Sequence, residues 1–295
     1  MPDAPPKSER QLILEAAVGV IKKQGLKSEL IGSKKFSEYF FKGVMLFNVL
    51  GDGCTRNCRF CVIKYKKKPD KPSLDEGKRI AAVSQKLGLR YIVLSPVARD
   101  DLADGGASYL ASYIRDIKKI NPNVKVETFI PDYGKKHLIK MVVDAEPDVI
   151  SYSLDTIKRL YSVVKGSEFD FERSIRTVRT IRELSKDIPI RATIMVGFRE
   201  SWFEVIGALR RLRKAGVDMI TISQYYRPTK NHIQVLEYVP VERFELYERE
   251  AYQLGYKHVK IQSGKPIEYS DYILPEFISS VQRKPLGPFR KEHQF

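Results

Sequence analysis

Cysteine, histidine and tryptophan are scarce in this chain: three, four and one among 295 residues. No apolar run approaches the ~20 residues of a membrane span. The stretch Met1-Pro2-Asp3-Ala4-Pro5-Pro6 has no apolar core of the signal-peptide kind. These absences set aside a disulfide-stapled secreted fold and a membrane protein, and place the chain, with reduced thiols, in the cytoplasm. Carboxylates are the scarcer charge. Against 36 Asp and Glu stand 52 Lys and Arg, a formal net charge of +16. A basic surface of that size favours an acidic partner, either nucleic acid or an acidic protein domain. The remaining composition, 43% hydrophobic and 30% charged, is that of a globular protein. The length allows one large domain or two small ones.

What cysteine there is lies together. Cys54, Cys58 and Cys61 occupy eight positions of Gly53-Cys54-Thr55-Arg56-Asn57-Cys58-Arg59-Phe60-Cys61. Three thiolates on one tight loop can hold three irons of a 4Fe-4S cluster and leave the fourth open to a small molecule. A zinc site is the alternative, but it needs a fourth ligand. The histidines (His137, His232, His258, His293) are all remote in sequence. Directly after the loop come Lys64, Lys66, Lys67, Lys68 and Lys71, the densest basic patch of the chain. It reads equally as a docking surface for an acidic partner or as a solvated lysine-rich loop.

The pattern along the chain predicts a helix over residues 8–25, opened by a Ser8/Gln11 capping box and closed by Gly25. An irregular connection to residue 42 follows. From residue 44, short β-rich apolar runs at 44–50, 89–97, 124–130, 149–154, 189–196 and 219–224 alternate with helical segments. The helices are expected at 73–87, 107–120, 135–144, 171–185 and 202–215, with a further one at 241–254. Six such units imply a parallel sheet buried on both faces. Right-handed crossovers would curl it into a partial or full barrel, an α/β fold with reactive groups at the carboxyl ends of its strands. The expected organisation is therefore residues 1–42 as an amino-terminal helix and connection, 43–272 as the barrel core, and 273–295 as a basic tail.

The cysteine loop follows the first strand, at the reactive end. After the second strand come Arg99, Asp100, Asp101, Asp104, Gly105 and Gly106. This segment can hold the polar head of a small molecule, or Asp104 can cap the next helix. After the fourth, Ser153 and Asp155 stand two apart and share a face if the strand persists. Asp155 suits a sugar hydroxyl or the cap of the following turn.

With these residues in hand, the chain resembles lipoyl synthase, a radical S-adenosylmethionine (SAM) enzyme, over roughly residues 43–264. The likeness rests on residues 50–61, on Arg99-Asp100-Asp101-Leu102-Ala103-Asp104-Gly105-Gly106-Ala107, on Ile130-Pro131-Asp132, and on Leu154-Asp155-Thr156. Met195-Val196-Gly197 and Gln224-Tyr225 with Pro228 and His232 continue it in order. The resemblance implies a partial (β/α)6 TIM-like barrel with an amino-terminal helical extension. It implies a SAM-cleaving 4Fe-4S cluster and hydrogen abstraction from an octanoyl chain on a carrier-protein lysine; with only Cys54, Cys58 and Cys61 available, one 4Fe-4S cluster is expected. SAM would lie among Phe60 (flanking the adenine), the Arg99 to Gly106 loop, Ser153 and Asp155. The partners implied are a reductant such as ferredoxin or flavodoxin and an acidic lipoyl-carrier protein; a nucleic-acid substrate stays open, as does a non-catalytic electron-transfer role.

One part of the family pattern is missing. Lipoyl synthases carry an auxiliary 4Fe-4S cluster, the sulfur donor, on an amino-terminal C-x4-C-x5-C motif. Those positions fall here on Ser28, Ser33 and Tyr39. The family's carboxyl-terminal R-S-S-Y has its best counterpart in Tyr269-Ser270-Asp271-Tyr272, without the arginine. Hydroxyls are poor iron ligands beside thiolates, so sulfur insertion by this chain alone is not expected.

Overall fold

The computed structural model describes residues 8–28, 31 and 36–263. Helix α1 (Glu9–Lys23) begins at the anticipated capping box, with Ser8 and Gln11 bonding reciprocally. A short α2 (Phe36–Phe41) then leads into β1 (Val44–Val49), and α3 (Glu76–Lys86) into β2 (Tyr91–Pro96). Next come α4 (Ala107–Ile120), β3 (Lys125–Phe129), α5 (Lys136–Val143) and β4 (Val149–Asp155). A 3-10 turn (Lys158–Leu160), α6 (Tyr161–Val164) and α7 (Phe171–Leu184) connect to β5 (Ile190–Val196). The described chain closes with α8 (Trp202–Ala215), β6 (Met219–Gln224), α9 (Val241–Gln253) and β7 (His258–Gln262).

All seven strands are parallel and lie in sequence order, β1 to β7. The six anticipated strands are present, and β7 is an addition. Only Val259 and Ile261 give it an apolar side, so its pattern is too short to stand out from a turn. The connection before residue 42 likewise contains α2, whose Phe36, Tyr39 and Phe40 are buried. The expected tail, and Ser33 and Ser270 with it, lie outside the described residues.

Sequential strand order with right-handed crossovers puts every connecting helix on the same face of the sheet. The register identifies that face as the apolar one, with Phe47, Leu94, Ile150, Ile194 and Ile222 among its residues. The opposite face, inside the curve of this partial barrel, carries Asn48, Ser95, Glu127, Ser151, Ser153, Arg191, Thr193, Thr221, Ser223 and Gln262. Many of these are fully buried, so the sheet is covered on both faces, but its two coverings differ in kind.

The inner face is locked by one carboxylate. Glu127 on β3 accepts a hydrogen bond from the Tyr91 hydroxyl on β2 at 2.6 Å and another from the Ser151 hydroxyl on β4. Arg191 on β5 reaches it with Nε at 3.1 Å and Nη2 at 3.2 Å. Four adjacent strands thus share one ion-centred network, with Glu127 1% and Arg191 0% exposed. Removing one member of a buried pair leaves an uncompensated charge, which costs about 3–5 kcal/mol. Arg191→Met should therefore destabilise the protein by an amount in that range, read as a lower urea midpoint at unchanged m-value. The double variant Glu127→Gln/Arg191→Met should recover most of the loss, because the substituted amide is uncharged and its carbonyl can still accept from Tyr91.

Candidate active site

The cysteine loop leaves β1 through a strained corner. Leu50 has φ 73°, and Gly51 has φ 119°. The Leu50 N–H donates to Glu76 at 3.2 Å, and its carbonyl accepts from Arg99 Nη1 at 2.7 Å. These buried partners hold a backbone state that a branched side chain disfavours. Beyond the corner the loop pairs with itself. Cys54 N–H donates to the Lys64 carbonyl, and Lys66 N–H to the Cys54 carbonyl, both at 2.9 Å.

Three further anchors tie the loop to the barrel rim. Thr55 N–H donates to Ala98 O at 3.0 Å, and the Thr55 hydroxyl donates to Asp100 at 2.8 Å. Arg56 forks onto the same carboxylate with Nε at 2.9 Å and Nη2 at 2.8 Å, and Nη2 also donates to Asp132 O at 2.9 Å. Arg59 N–H donates to Val164 O at 3.1 Å, and its guanidinium to Val163 O at 3.0 Å. On the far side, Ile233 N–H donates to Arg59 O at 2.9 Å, and His232 Nε2–H donates to Cys61 O at 3.0 Å. The Thr229 hydroxyl, 2.8 Å from His232 Nδ1, completes that ring's bonding. A carbonyl only accepts, so this arrangement fixes the tautomer. The loop is thus braced by β2, α6 and the segment after β6.

The second-strand segment divides its tasks. Arg99 is 1% exposed, and all five of its donor positions are used: two on Asp101, the others on Leu50 O, Asp70 O and Pro69 O. Its guanidinium therefore has no donor left for a ligand, and its part is to hold the Leu50 corner. Burial works to raise the Asp100 carboxyl, but hydrogen bonds from Arg56 and Thr55 outweigh it and hold the group below the usual range. Asp104 accepts from Gly106 N–H at 3.0 Å and Ser108 N–H at 2.9 Å, the capping alternative for that residue. Gly105 and Gly106 both have positive φ, and a Cβ on Gly106 would sit 2.9 Å from Leu50 Cδ1. Both glycines are needed for the close turn against β1 and Tyr133, whatever else they touch.

At the end of β4 the register slips between Ser153 and Asp155, so the two do not continue one regular alternation. Ser153 accepts from the Thr193 hydroxyl at 3.2 Å on the inner face. Asp155, with φ 72°, pairs with Lys165 Nζ at 2.6 Å. Burial disfavours the Lys165 charge, but Asp155 outweighs it and holds the ammonium's pKa well above its ordinary value. Burial pushes the Asp155 carboxyl up, and Lys165 pulls it back. The ammonium also lies 5.1 Å from the Tyr161 ring and 5.3 Å from the Phe169 ring. Phe60 is half-buried against the core.

None of the three thiols is in a disulfide, and all are half-buried. Burial pushes the Cys58 thiol up to about 12, with Lys165 acting against it. A thiol in that state becomes a thiolate only when a cation replaces the lost hydration, as iron does. Zinc fits poorly, because it needs its ligands on one centre. Among the described residues no three Cys, His, Asp or Glu side chains gather in that way, and both His232 nitrogens are engaged. A cubane gives each thiolate its own iron, and these residues suit it.

Sequence reasoning did not single out Arg56, Lys165 or the bracing role of His232. Arg56 stood in plain view between two cysteines. Nothing in the sequence marks Lys165, which reaches Asp155 only through the fold. Of the three auxiliary-cluster positions, Tyr39 is buried in α2. Ser28 lines a cavity of about 270 Å³ with Asn48, Asp52 and Lys64, beside the cysteine loop.

The Radical SAM superfamily profile matches residues 48–212. Curated relatives named lipoyl synthase include those of Caldanaerobacter subterraneus subsp. tengcongensis, 42% identical over 80% of this chain and 81% of that one. That of Caldicellulosiruptor bescii is 44% identical over 80% of both chains, and that of Pyrobaculum arsenaticum 39% over 78% of both. Among solved structures, Streptococcus suis SuiB bound to S-adenosylmethionine superposes with a TM-score of 0.59 at 13% identity, over 88% of this chain and 56% of that one. This chain therefore spans a little over half of SuiB, and the likeness shows the fold alone. With the superfamily match over more than half its length and such relatives along four-fifths of it, the chain belongs to the lipoyl synthase family of radical SAM enzymes, whose cofactors are a 4Fe-4S cluster and SAM.

Proposed function

We propose that this radical SAM enzyme abstracts hydrogen from an octanoyl-lysine-like, protein-bound acyl substrate and does not insert sulfur unaided. One observation carries the reading: all three thiols of the chain are in one loop, and none stands at positions 28, 33 or 39. Cys54, Cys58 and Cys61 would hold the only cluster. When bound, that cluster and SAM supply an electron and a carbon radical able to take hydrogen from unactivated carbon. The chain's own residues supply the geometry. Arg56, Thr55 and Asp100 hold the first thiolate against β2, while His232 and Arg59 hold the last against the opposite rim. Asp155 and Lys165 place a charged pair beside Cys58, on the side where SAM's hydroxyls and carboxylate would find partners. Phe60 offers a flat apolar face to the adenine. Around it we place the remaining rim residues Asp100, Asp104, Gly105, Gly106 and Ser153, at the ends of the second and fourth strands. Beneath, the hydroxyls of Ser153, Thr193, Thr221 and Ser223 line the inner wall that faces the substrate.

The test is anaerobic. Reconstituted protein should contain close to four iron and four sulfide per chain, and replacing the three cysteines by alanine should remove all cluster absorbance. With SAM, reductant and a deuterated octanoyl-lysyl peptide, 5′-deoxyadenosine should form and carry deuterium. The peptide's mass should show no gain of two sulfur atoms; such a gain with this protein alone would overturn the reading. A separate measurement addresses the loop anchors. Asp100→Ala removes the acceptor of both Thr55 and Arg56, so iron transfer to a chelator should speed up by about 10- to 100-fold, the range that outer partners of metal ligands command. An unchanged rate would mean the loop stands without this anchor.

A further inference from the structure

We propose that the outer side of the cysteine loop, centred on Tyr65 and the lysines around it, is the docking surface for an acidic electron-donor protein. The inference rests on the cluster reading and adds to it the route by which electrons arrive. Tyr65 lies opposite Cys54 in the loop's own pairing, its neighbours Lys64 and Lys66 bonding the two faces of the Cys54 peptide at 2.9 Å. Its side chain is 48% exposed, and that of Val62, one residue beyond Cys61, is 58% exposed. Val62 and Tyr65 thus put apolar surface on the cysteine loop itself.

The charge around them says what kind. Lys64, Lys67, Lys68 and Lys71 are exposed, and none forms an ion pair among the described residues. Lys66 is the exception, held by Asp52 at 2.6 Å. Exposed basic residues outside ion pairs occur elsewhere, as at Lys86, Arg179, Lys186 and Arg210, but no other described stretch of eight positions carries four of them. A run of unmatched lysines beside exposed apolar groups is a rim and core of the sort that acidic partners complement. A carrier protein presenting an acyl chain must face the open inner side of the barrel. A protein delivering electrons needs only proximity to the cluster, and Tyr65 pairs directly with Cys54 in this loop.

The experiment uses the reconstituted holoprotein, with reduced flavodoxin and, separately, dithionite as donors, and follows cluster reduction by stopped flow. Lys67→Glu/Lys68→Glu should slow reduction by flavodoxin about tenfold at low salt, within the span that electrostatic steering covers. The deficit should shrink as salt rises and the Debye length falls to ~8 Å and below. Tyr65→Ser should weaken flavodoxin docking at all salt concentrations. Dithionite reduction and iron content should stay within about twofold of the parent, well inside that steering effect. Equal flavodoxin rates in parent and charge-reversed protein would refute the proposal. So would a raised KM for an octanoylated carrier protein in dithionite-driven turnover with flavodoxin reduction unchanged, which would assign the surface to the carrier. Because cluster reduction is read directly, the outcome does not depend on which acyl substrate the enzyme uses.

Discussion

The loop that carries the three thiols is held against the barrel largely through one carboxylate. Asp100 accepts from the Thr55 hydroxyl and from both arms of Arg56, so the residues directly after Cys54 are fixed to the end of β2. The fork geometry of guanidinium on carboxylate sets an orientation as well as a distance. Burial of Arg56 would favour its neutral form, but Asp100 keeps it charged. The pair sits at the boundary between protein and solvent, with the Asp100 side chain 52% exposed. Its value therefore lies in placing the loop more than in global stability. Arg99, one residue earlier, fixes the Leu50 corner from within. Two adjacent residues at one strand end hold the two ends of the same turn.

Much of the architecture was legible because parallel strands are continuous apolar runs and amphipathic helices keep their period. The helices at 107–120 and 202–215 coincide with the expected limits, since Gly106, Ser201 and Gly216 punctuate them unambiguously. What escaped was structure with weak local signals. β7 has two apolar residues and sits at an edge, where alternation is diluted by solvent. α2 is held by burial of Phe36, Tyr39 and Phe40 beside β1 and shows no period of its own. The site divides in the same way. The thiols are written in the sequence, because residues of one short loop must be close in number. The Lys165–Asp155 pair is not, because its two members meet only after the chain has rounded α6.

The two faces of the sheet explain how one fold combines stability with a polar interior. Helices cover the outer face with ordinary hydrophobic packing. The inner face carries hydroxyls and one ion-centred network, and buried polar groups of that kind are tolerable only when bonded. Glu127 meets the requirement low in the barrel by collecting Tyr91, Ser151 and Arg191. Higher up, towards the mouth, Thr221 and Gln262 each keep an oxygen without a protein partner among the described residues. The floor is thus centred on the Glu127–Arg191 ion pair, while Thr221 and Gln262 lie nearer the end where the cysteines are.

Backbone strain is distributed by the same logic. Leu50 and Asp155 are the non-glycine residues in the left-handed region at the ends of β1 and β4, and both ends face the cysteine loop. Such conformations cost of order 1–3 kcal/mol and persist only where surroundings over-determine them. Leu50 is held by Arg99 and Glu76, and Asp155 by Lys165. In each case a buried charged side chain fixes the backbone state, and in each case it lies within the frame of the thiols. The outer parts of the loop carry no such reinforcement and display exposed lysines and aromatic surface instead. The loop is therefore braced towards the barrel and accessible towards solvent.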